Sequence, residues 1–415
     1  MVPADLQEVT FDTLTYGGES LGRLPDGRPV FVPFALPGER ARLRLVQEKR
    51  GFARGELVEL VQPAANRITP RCKHFGVCGG CHYQHMPYES QLEAKAQILR
   101  DQLKRIGHIE DPPVRATIPS PNPWNYRNQV QFHLTPEGRL GYVRASSDPK
   151  ATGAIFAVEE CHLPEQAIND LWPHLQFERG SGIERVSIRA STDDDPMLIL
   201  EGSGGELPEV EIEGELSVTH VLGDDCVLIS GRDHVNMRLL ERDFRVSAPS
   251  FFQVNTAMAE KMLEHVLELV PNRAETVLDV YCGAGLFSAF LAPRCQRLVG
   301  IEVAAAACED FAVNLDECDN VELYEAPAED VLPALEVKPD LIILDPPRTG
   351  VEVKALDALV QLDPKRIIYV SCDPSTLARD LRRLTDNDFR FTRVTPFDMF
   401  PQTYHIESIS LLEKT

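Results

Sequence analysis

The chain of 415 residues contains no apolar run of the roughly 18 residues that a membrane-spanning helix needs. Its opening, MVPADLQEVTFDTLTYGGES, lacks the basic and apolar regions of a secretory signal, so a cytoplasmic location without membrane contact is expected. No internal repeat occurs at a solenoid period, which excludes a stacked-repeat architecture. Positive charge is scarce: 42 Lys and Arg face 64 Asp and Glu, a net charge of −22. Over the whole chain this argues against a polyanionic partner. The distribution is uneven, however. RARLRLVQEKRGFAR (Arg40 to Arg54) holds six basic residues and one glutamate, whereas the stretch from 193 to 215 holds nine acidic residues and no basic one. A phosphate backbone responds to the local patch, and a solvated strand face explains the basic stretch equally well. The ten cysteines, in such a chain, read as thiols or metal ligands rather than disulfides.

The length allows two or three domains. Residues 1–62 carry short apolar runs (VTFDTLTY, PVFVPFAL, RARLRLVQ, GELVELVQ) split by turn signals, the pattern of an OB-like barrel. QPAANRITPR reads as a linker. Residues 63–245 form a central region: a cysteine-rich loop, a helix over ESQLEAKAQILRDQLKRIG, a Pro-rich break and mostly strand-like sequence to about Met237. From 246 to 415, strands alternate with helices, which implies a Rossmann-like parallel sheet.

Three stretches of that last part carry chemistry. LDVYCGAGLF is a strand, a Gly-rich turn and a helix start, and Glu302 follows at the end of the next strand, where a carboxylate can hold ribose hydroxyls. The turn lacks the G-x-G-x-x-G spacing that cradles a pyrophosphate, so a cofactor without phosphates, such as S-adenosylmethionine (SAM), fits better. LIILDPPR ends a buried strand at Asp345 and fixes the turn with two prolines. IIYVSCDPSTLARDL places Cys372 at the carboxyl end of an apolar strand, before a proline and a helix start, where ligands bind in α/β sheets.

LDVYCGAG, LDPPRTG, YVSCDPSTLARDL and MFPQTYHIES, in this order, resemble the RNA uracil-C5 methyltransferase family, and YGGESLGR resembles the opening of its TRAM domain. The resemblance implies a SAM-dependent class I enzyme acting on RNA, with Cys372 as nucleophile toward C6 of uracil and Glu407 as base. Gln253, Tyr281, Glu302 and Asp345 match its SAM-contacting positions, and Phe251 falls near the target base. Asp373 and Leu286 depart from the family, which often has asparagine there. A carboxylate at 373 should oppose ionisation of a nearby thiol.

RCKHFGVCGGCHYQH sets Cys72, Cys78 and Cys81 in a C-x5-C-x2-C pattern, and Cys161 lies about eighty residues later. Soft ligands so spaced select zinc or iron–sulfur; His82, next to Cys81, keeps a Cys/His zinc site open. The C-x3-C-x2-C spacing of a radical-SAM cluster is missing. Here the resemblance implies a 4Fe–4S cluster on these four cysteines, as in the branch that modifies 23S ribosomal RNA. The expected protein is then a monomeric rRNA uracil-C5 methyltransferase. A tRNA enzyme and a non-catalytic RNA-binding assembly factor on the same fold are its rivals, the latter opposed by intact Cys372, Glu407 and Asp345.

Overall fold

Alternation with a period of two builds the first unit. In RARLRL, Ala41 and Leu43 point inward and are fully buried, while Arg40, Arg42 and Arg44 face outward. Strands β1 (Leu6–Leu14), β2 (Glu19–Arg23), β3 (Pro29–Pro33), β4 (Arg40–Glu48) and β5 (Ala53–Gln62) close into a barrel in the order β1-β2-β3-β5-β4. Closure leaves no free sheet edge. Val9, Phe11, Val30 and Val32 fill its interior with Ala41 and Leu43. The outward arginines are largely neutralised in place. Arg40 pairs with Glu8 at 3.2 Å, Arg42 with Glu59 at 2.7 Å, Arg44 with Glu56 at 3.6 Å, and Arg54 with Glu19. The basic stretch is thus mainly an ion-paired strand face. The computed structural model describes residues 6–146, 153–193, 195–202, 216–223, 225–271 and 273–415, and most of the acidic stretch from 193 to 215 lies outside them.

The cysteine-rich loop leads to helix α1 (Tyr88–Arg105). A central sheet follows, made of β6 (Gln129–Leu134), β7 (Leu140–Val143), β8 (Ile155–Ala157), β9 (Ile183–Arg189), β10 (Met197–Gly202), β11 (Ser217–Leu222) and β12 (Asp225–Ser230), in the order β12-β11-β10-β9-β6-β7-β8. Short helix α2 (Gln166–Leu171) covers it, with Ile168 and Trp172 in its core. The hairpin of β13 (His234–Leu239) and β14 (Arg242–Ser247) completes the region.

The last unit opens with α3 (Thr256–Leu269). Then come β15 (Ala274–Val280), α4 (Leu286–Leu291), β16 (Cys295–Glu302), α5 (Ala305–Asn314), β17 (Val321–Glu325), α6 (Ala328–Val331), β18 (Leu341–Leu344), α7 (Val353–Gln361), β19 (Arg366–Ser371), α8 (Pro374–Thr385), β20 (Phe389–Phe397) and β21 (Glu407–Lys414). The sheet order is β17-β16-β15-β18-β19-β21-β20, with β21 antiparallel to its neighbours. This is the class I methyltransferase fold. The apolar strands are buried on both faces: Leu341, Ile343, Ile368 and Val370 enter one core, Ile342, Leu344, Ile367 and Tyr369 the other. Packing crosses the boundary read from sequence at 62/63, where Leu14 and Leu36 of the barrel share a core with Tyr83 and Met86, and also the one at 245/246. Leu99 and Leu103 of α1 join the second of these cores, and Val235 and Phe244 of the hairpin join the first.

Candidate active site

The sheet register sets the site. β19 and β21 pair antiparallel up to Ser371 opposite Ser408, so Cys372 and Glu407 flank that last rung. Pro374 then begins α8, and Asp373 caps it, its Oδ1 accepting from Ser375 N at 2.8 Å and Thr376 N at 3.0 Å. Cys372 is therefore held at the carboxyl edge of the sheet by a ladder on one side and a capped helix on the other.

The loop that delivers Glu407 is clamped from outside the sheet. Lys95 of α1, with no exposed surface, donates to Asp398 Oδ1 at 2.5 Å and Phe400 O at 3.0 Å. Gln91 and Gln402 exchange hydrogen bonds, and Gln402 O accepts from His82 N at 2.9 Å and Tyr83 N at 3.0 Å. A buried ion pair of this kind contributes little net stability, but loss of one partner strands the other.

Charge concentrates around the thiol. Burial first, then Glu407 and Asp345, push the Cys372 thiol up to about 12, with Arg348 opposing and Asp373 adding to the rise. Burial and Asp345 hold the Glu407 carboxyl well above its ordinary range, again against Arg348. Asp345, which follows β18, is raised to about 7 by burial, Asp279 and Glu302. Cys372, Glu407, Asp345 and Glu302 are thus one electrostatic group, with the Arg348 cation facing Cys372 and Glu407.

The Gly-rich turn lies beside this group. Tyr281 adopts φ 66°, a left-handed conformation rare for a non-glycine residue, and its N–H donates to Ile301 O. Gly285 has φ 89°, and a Cβ there would meet Leu315 at 2.5 Å, so only glycine fits. Glu302 Oε2 accepts from Gly283 N at 3.0 Å, and Oε1 from Val303 N and Ala304 N at 2.8 Å each. These bonds use only part of the carboxylate's acceptor capacity. Asp279 is fully buried; Oδ2 accepts from Ser288 while Oδ1 has no partner. Gln253 stands apart, on the loop before α3, where Asn128 Nδ2 donates to its carbonyl at 2.9 Å. Among the described residues, no hydrogen bond or charge interaction joins its side chain to the group. Phe251 on the same loop is 71% exposed, although Arg189 and Asp310 clamp Ser247 and Ser250 immediately before it. Leu286 begins α4.

A profile of tRNA (Uracil-5-)-methyltransferases matches residues 228–415, and a TRAM domain profile matches residues 5–58. An uncharacterized RNA methyltransferase of Thermosynechococcus vestitus is 34% identical over 98% of this chain and 97% of its own length. One from Oceanobacillus iheyensis is 32% identical over 98% and 96%. The crystal structure of the Pyrococcus abyssi tRNA (uracil-54, C5)-methyltransferase with S-adenosyl-L-homocysteine superposes with a TM-score of 0.75 at 25% identity, covering 98% of this chain and 99% of the other. The chain belongs to the RNA uracil-C5 methyltransferase family. It is a SAM-dependent RNA (uracil-5-)-methyltransferase whose TRAM and methyltransferase domains bind RNA.

The methyltransferase brings its four distant cysteines together. Cys72, Cys78, Cys81 and Cys161 line one cavity of about 100 Å³, with Arg127 and Tyr142 in its wall. Among the described residues, no group of three or more His, Cys, Asp or Glu is arranged to hold a metal ion. His82 turns away from the cavity: its ring meets Tyr404 edge-on at 4.6 Å. The Cys/His pairing suggested by its position next to Cys81 is therefore not formed.

Sequence reading passed over several residues. Asp279 left a signal, a charge inside the apolar strand TVLDVYC. Arg348 sits inside the quoted DPPR, but nothing local says that it faces both Cys372 and Glu407. The Lys95–Asp398 pair joins positions 303 apart and left none.

Proposed function

We propose that the enzyme methylates C5 of one uridine through a covalent adduct between Cys372 and C6, with Glu407 as the base that removes the C5 proton. The observation that carries this reading is the β19–β21 register, which sets a thiol and a carboxylate side by side at the mouth of the sheet. As a thiolate, Cys372 Sγ bonds to C6 and the electrons of the C5–C6 double bond become available at C5. SAM supplies an electrophilic methyl group on a sulfonium. Glu407 then accepts the C5 proton, the C5–C6 double bond re-forms and the sulfur leaves C6. Glu302, Tyr281, Asp345 and Gln253 are the residues we assign to SAM. The unpartnered Asp279 Oδ1, the left-handed Tyr281–Gly285 turn and the spare acceptor sites of Glu302 fit such a ligand. Phe251, exposed on a clamped loop, suits stacking on a base drawn out of its helix.

Both proposed groups act without their protons, and the pKa of each is raised. The rate is therefore lost as pH falls, and kcat/KM is expected to keep rising from neutral into alkaline pH. A profile that is flat from pH 6 to 9 would contradict the assignment.

For the cysteine cavity we propose a 4Fe–4S cluster. The four thiols line one cavity, and an all-thiol set of soft ligands suits a polynuclear iron–sulfur centre. Its role is structural: His82 N and Tyr83 N, directly after Cys81, hold Gln402 on the loop leading to Glu407. Iron and sulfide analysis of anaerobically purified protein tests this, and stoichiometric zinc would refute it.

As substrate we propose large ribosomal RNA, on the combination of a TRAM barrel with the cysteine centre. The likeness to the archaeal tRNA enzyme, which spans nearly the whole chain, favours tRNA as the second reading. Both points are tested with SAM and total cellular RNA carrying 5-fluorouracil. Fluorine at C5 does not leave as a proton, so a denaturation-stable adduct should form on large rRNA. An adduct on tRNA would keep the mechanism and replace the substrate. No adduct from SAM-binding protein would sink the nucleophile assignment.

A further inference from the structure

The loop between β1 and β2 of the TRAM barrel reaches the active site. Tyr16 Oη donates to Asp373 Oδ2 at 2.9 Å, a bond spanning 357 positions of sequence. The other carboxylate oxygen is engaged in capping α8. Asp373 is therefore held at both oxygens, one by its own helix and one by a different domain. The phenol is itself fixed. Its ring meets Tyr404 edge-on at 5.8 Å, and Tyr404 packs on His405 at 4.3 Å, two residues before Glu407. Thr15 closes the loop, with both its N–H and its hydroxyl donating to Glu19 O at 2.9 Å. Burial and Asp373 keep the Tyr16 hydroxyl protonated far into the alkaline range, so it stays a donor.

The need for such a donor follows from the company Cys372 keeps. Glu407 comes from β21, Asp345 follows β18, Asp373 caps α8, and all three oppose a thiolate, with Arg348 as the opposing cation. At the cap an asparagine would serve α8 as well as an aspartate does. It would add no negative charge beside the sulfur. This chain carries the charge, and a barrel tyrosine meets it.

We propose that Tyr16 is a positioning residue for the nucleophile: by engaging Asp373 Oδ2 it fixes that carboxylate and disperses its charge, so that Cys372 can ionise in spite of the aspartate next to it. The inference rests on the reading of Cys372 as nucleophile. It makes the barrel loop part of the catalytic centre, beyond any share the barrel has in gripping RNA.

The test is a double-mutant cycle in the full-length protein, with Tyr16→Phe, Asp373→Asn and both together. kcat/KM for RNA is followed against pH beside the rate of adduct formation on 5-fluorouracil RNA. Tyr16→Phe leaves the carboxylate unshielded, so the rising limb should move up by about one pH unit, with about a tenfold loss at neutral pH that closes at high pH. Asp373→Asn should move the limb below wild type, and adding Tyr16→Phe to it should change the limb no further. A Tyr16→Phe profile that superposes on wild type, or that falls equally at every pH through a raised KM, overturns the inference. Should Tyr16→Phe melt before assay temperature, the Asp373→Asn limb decides alone: an unmoved limb refutes the role of that charge. Full activity in Cys372→Ala would sink the nucleophile reading itself, whereas an inactive Cys372→Ala beside a normal Tyr16→Phe would sink only this inference.

Discussion

Replacing Cys372 with alanine is expected to lower methyl transfer by at least about 10⁴-fold, while SAM binding and the melting temperature stay close to wild type. The size follows from the chemistry. C5 of uracil is a poor nucleophile until a group adds at C6, and Cys372 is the thiol that the sheet register sets beside Glu407. The four cavity cysteines line a separate volume, and Cys282 is buried in one core with Phe311 and Leu315. Stability should change little, because the sulfur is only partly buried and makes no hydrogen bond among the described residues. Removing a half-buried thiol that is pressed by three carboxylates should shift folding by less than about 1 kcal/mol. Single-turnover transfer of labelled methyl, beside calorimetric SAM binding, separates the two effects. Activity within tenfold of wild type would show that another group attacks C6, or that the adduct does not form.

Much of the fold was legible because its signals are local. The alternation in RARLRL sorts Ala41 and Leu43 from the arginines, and the unbroken run LIIL marks a strand buried on both faces. Proline at 374 after Asp373 announces the start of α8. What was hidden depends on pairs distant in sequence. The fates of Arg40, Arg42 and Arg44 were decided by glutamates on β1 and β5, so a charge run that fitted a phosphate-binding face and a solvated strand face equally well proved largely self-neutralised. His82 beside Cys81 looked like a ligand, but direction is set by the chain's path, and its ring faces Tyr404. Asp373 was read as a liability to the thiol. The structure keeps that sign and adds the Tyr16 hydroxyl, supplied from the opposite end of the chain.

Glu407→Gln should have the opposite phenotype from Cys372→Ala. Glutamine keeps the shape at a position only 3% exposed and removes the second-largest influence raising the thiol pKa. Attack on C6 and methylation of C5 should therefore proceed, but the amide cannot take the C5 proton. Cys372 is left bonded to a methylated base. The expected result is a denaturation-stable adduct on ordinary, unfluorinated RNA that carries the labelled methyl group, with turnover reduced roughly 10²–10⁴-fold. A second readout needs no RNA. The Glu407 carboxyl is held well above 4.5 in the folded protein, so the native state binds its proton more tightly than the unfolded chain does. Wild-type stability then falls as pH rises above the unfolded value, and the loss is complete above the folded one. The neutral glutamine escapes that loss, so the variant should melt higher than wild type at pH 8 and alongside it near pH 4. Normal turnover in Glu407→Gln would remove the carboxylate from the base role, whatever its melting behaviour. Lost turnover without an adduct would place its action at or before attack on C6.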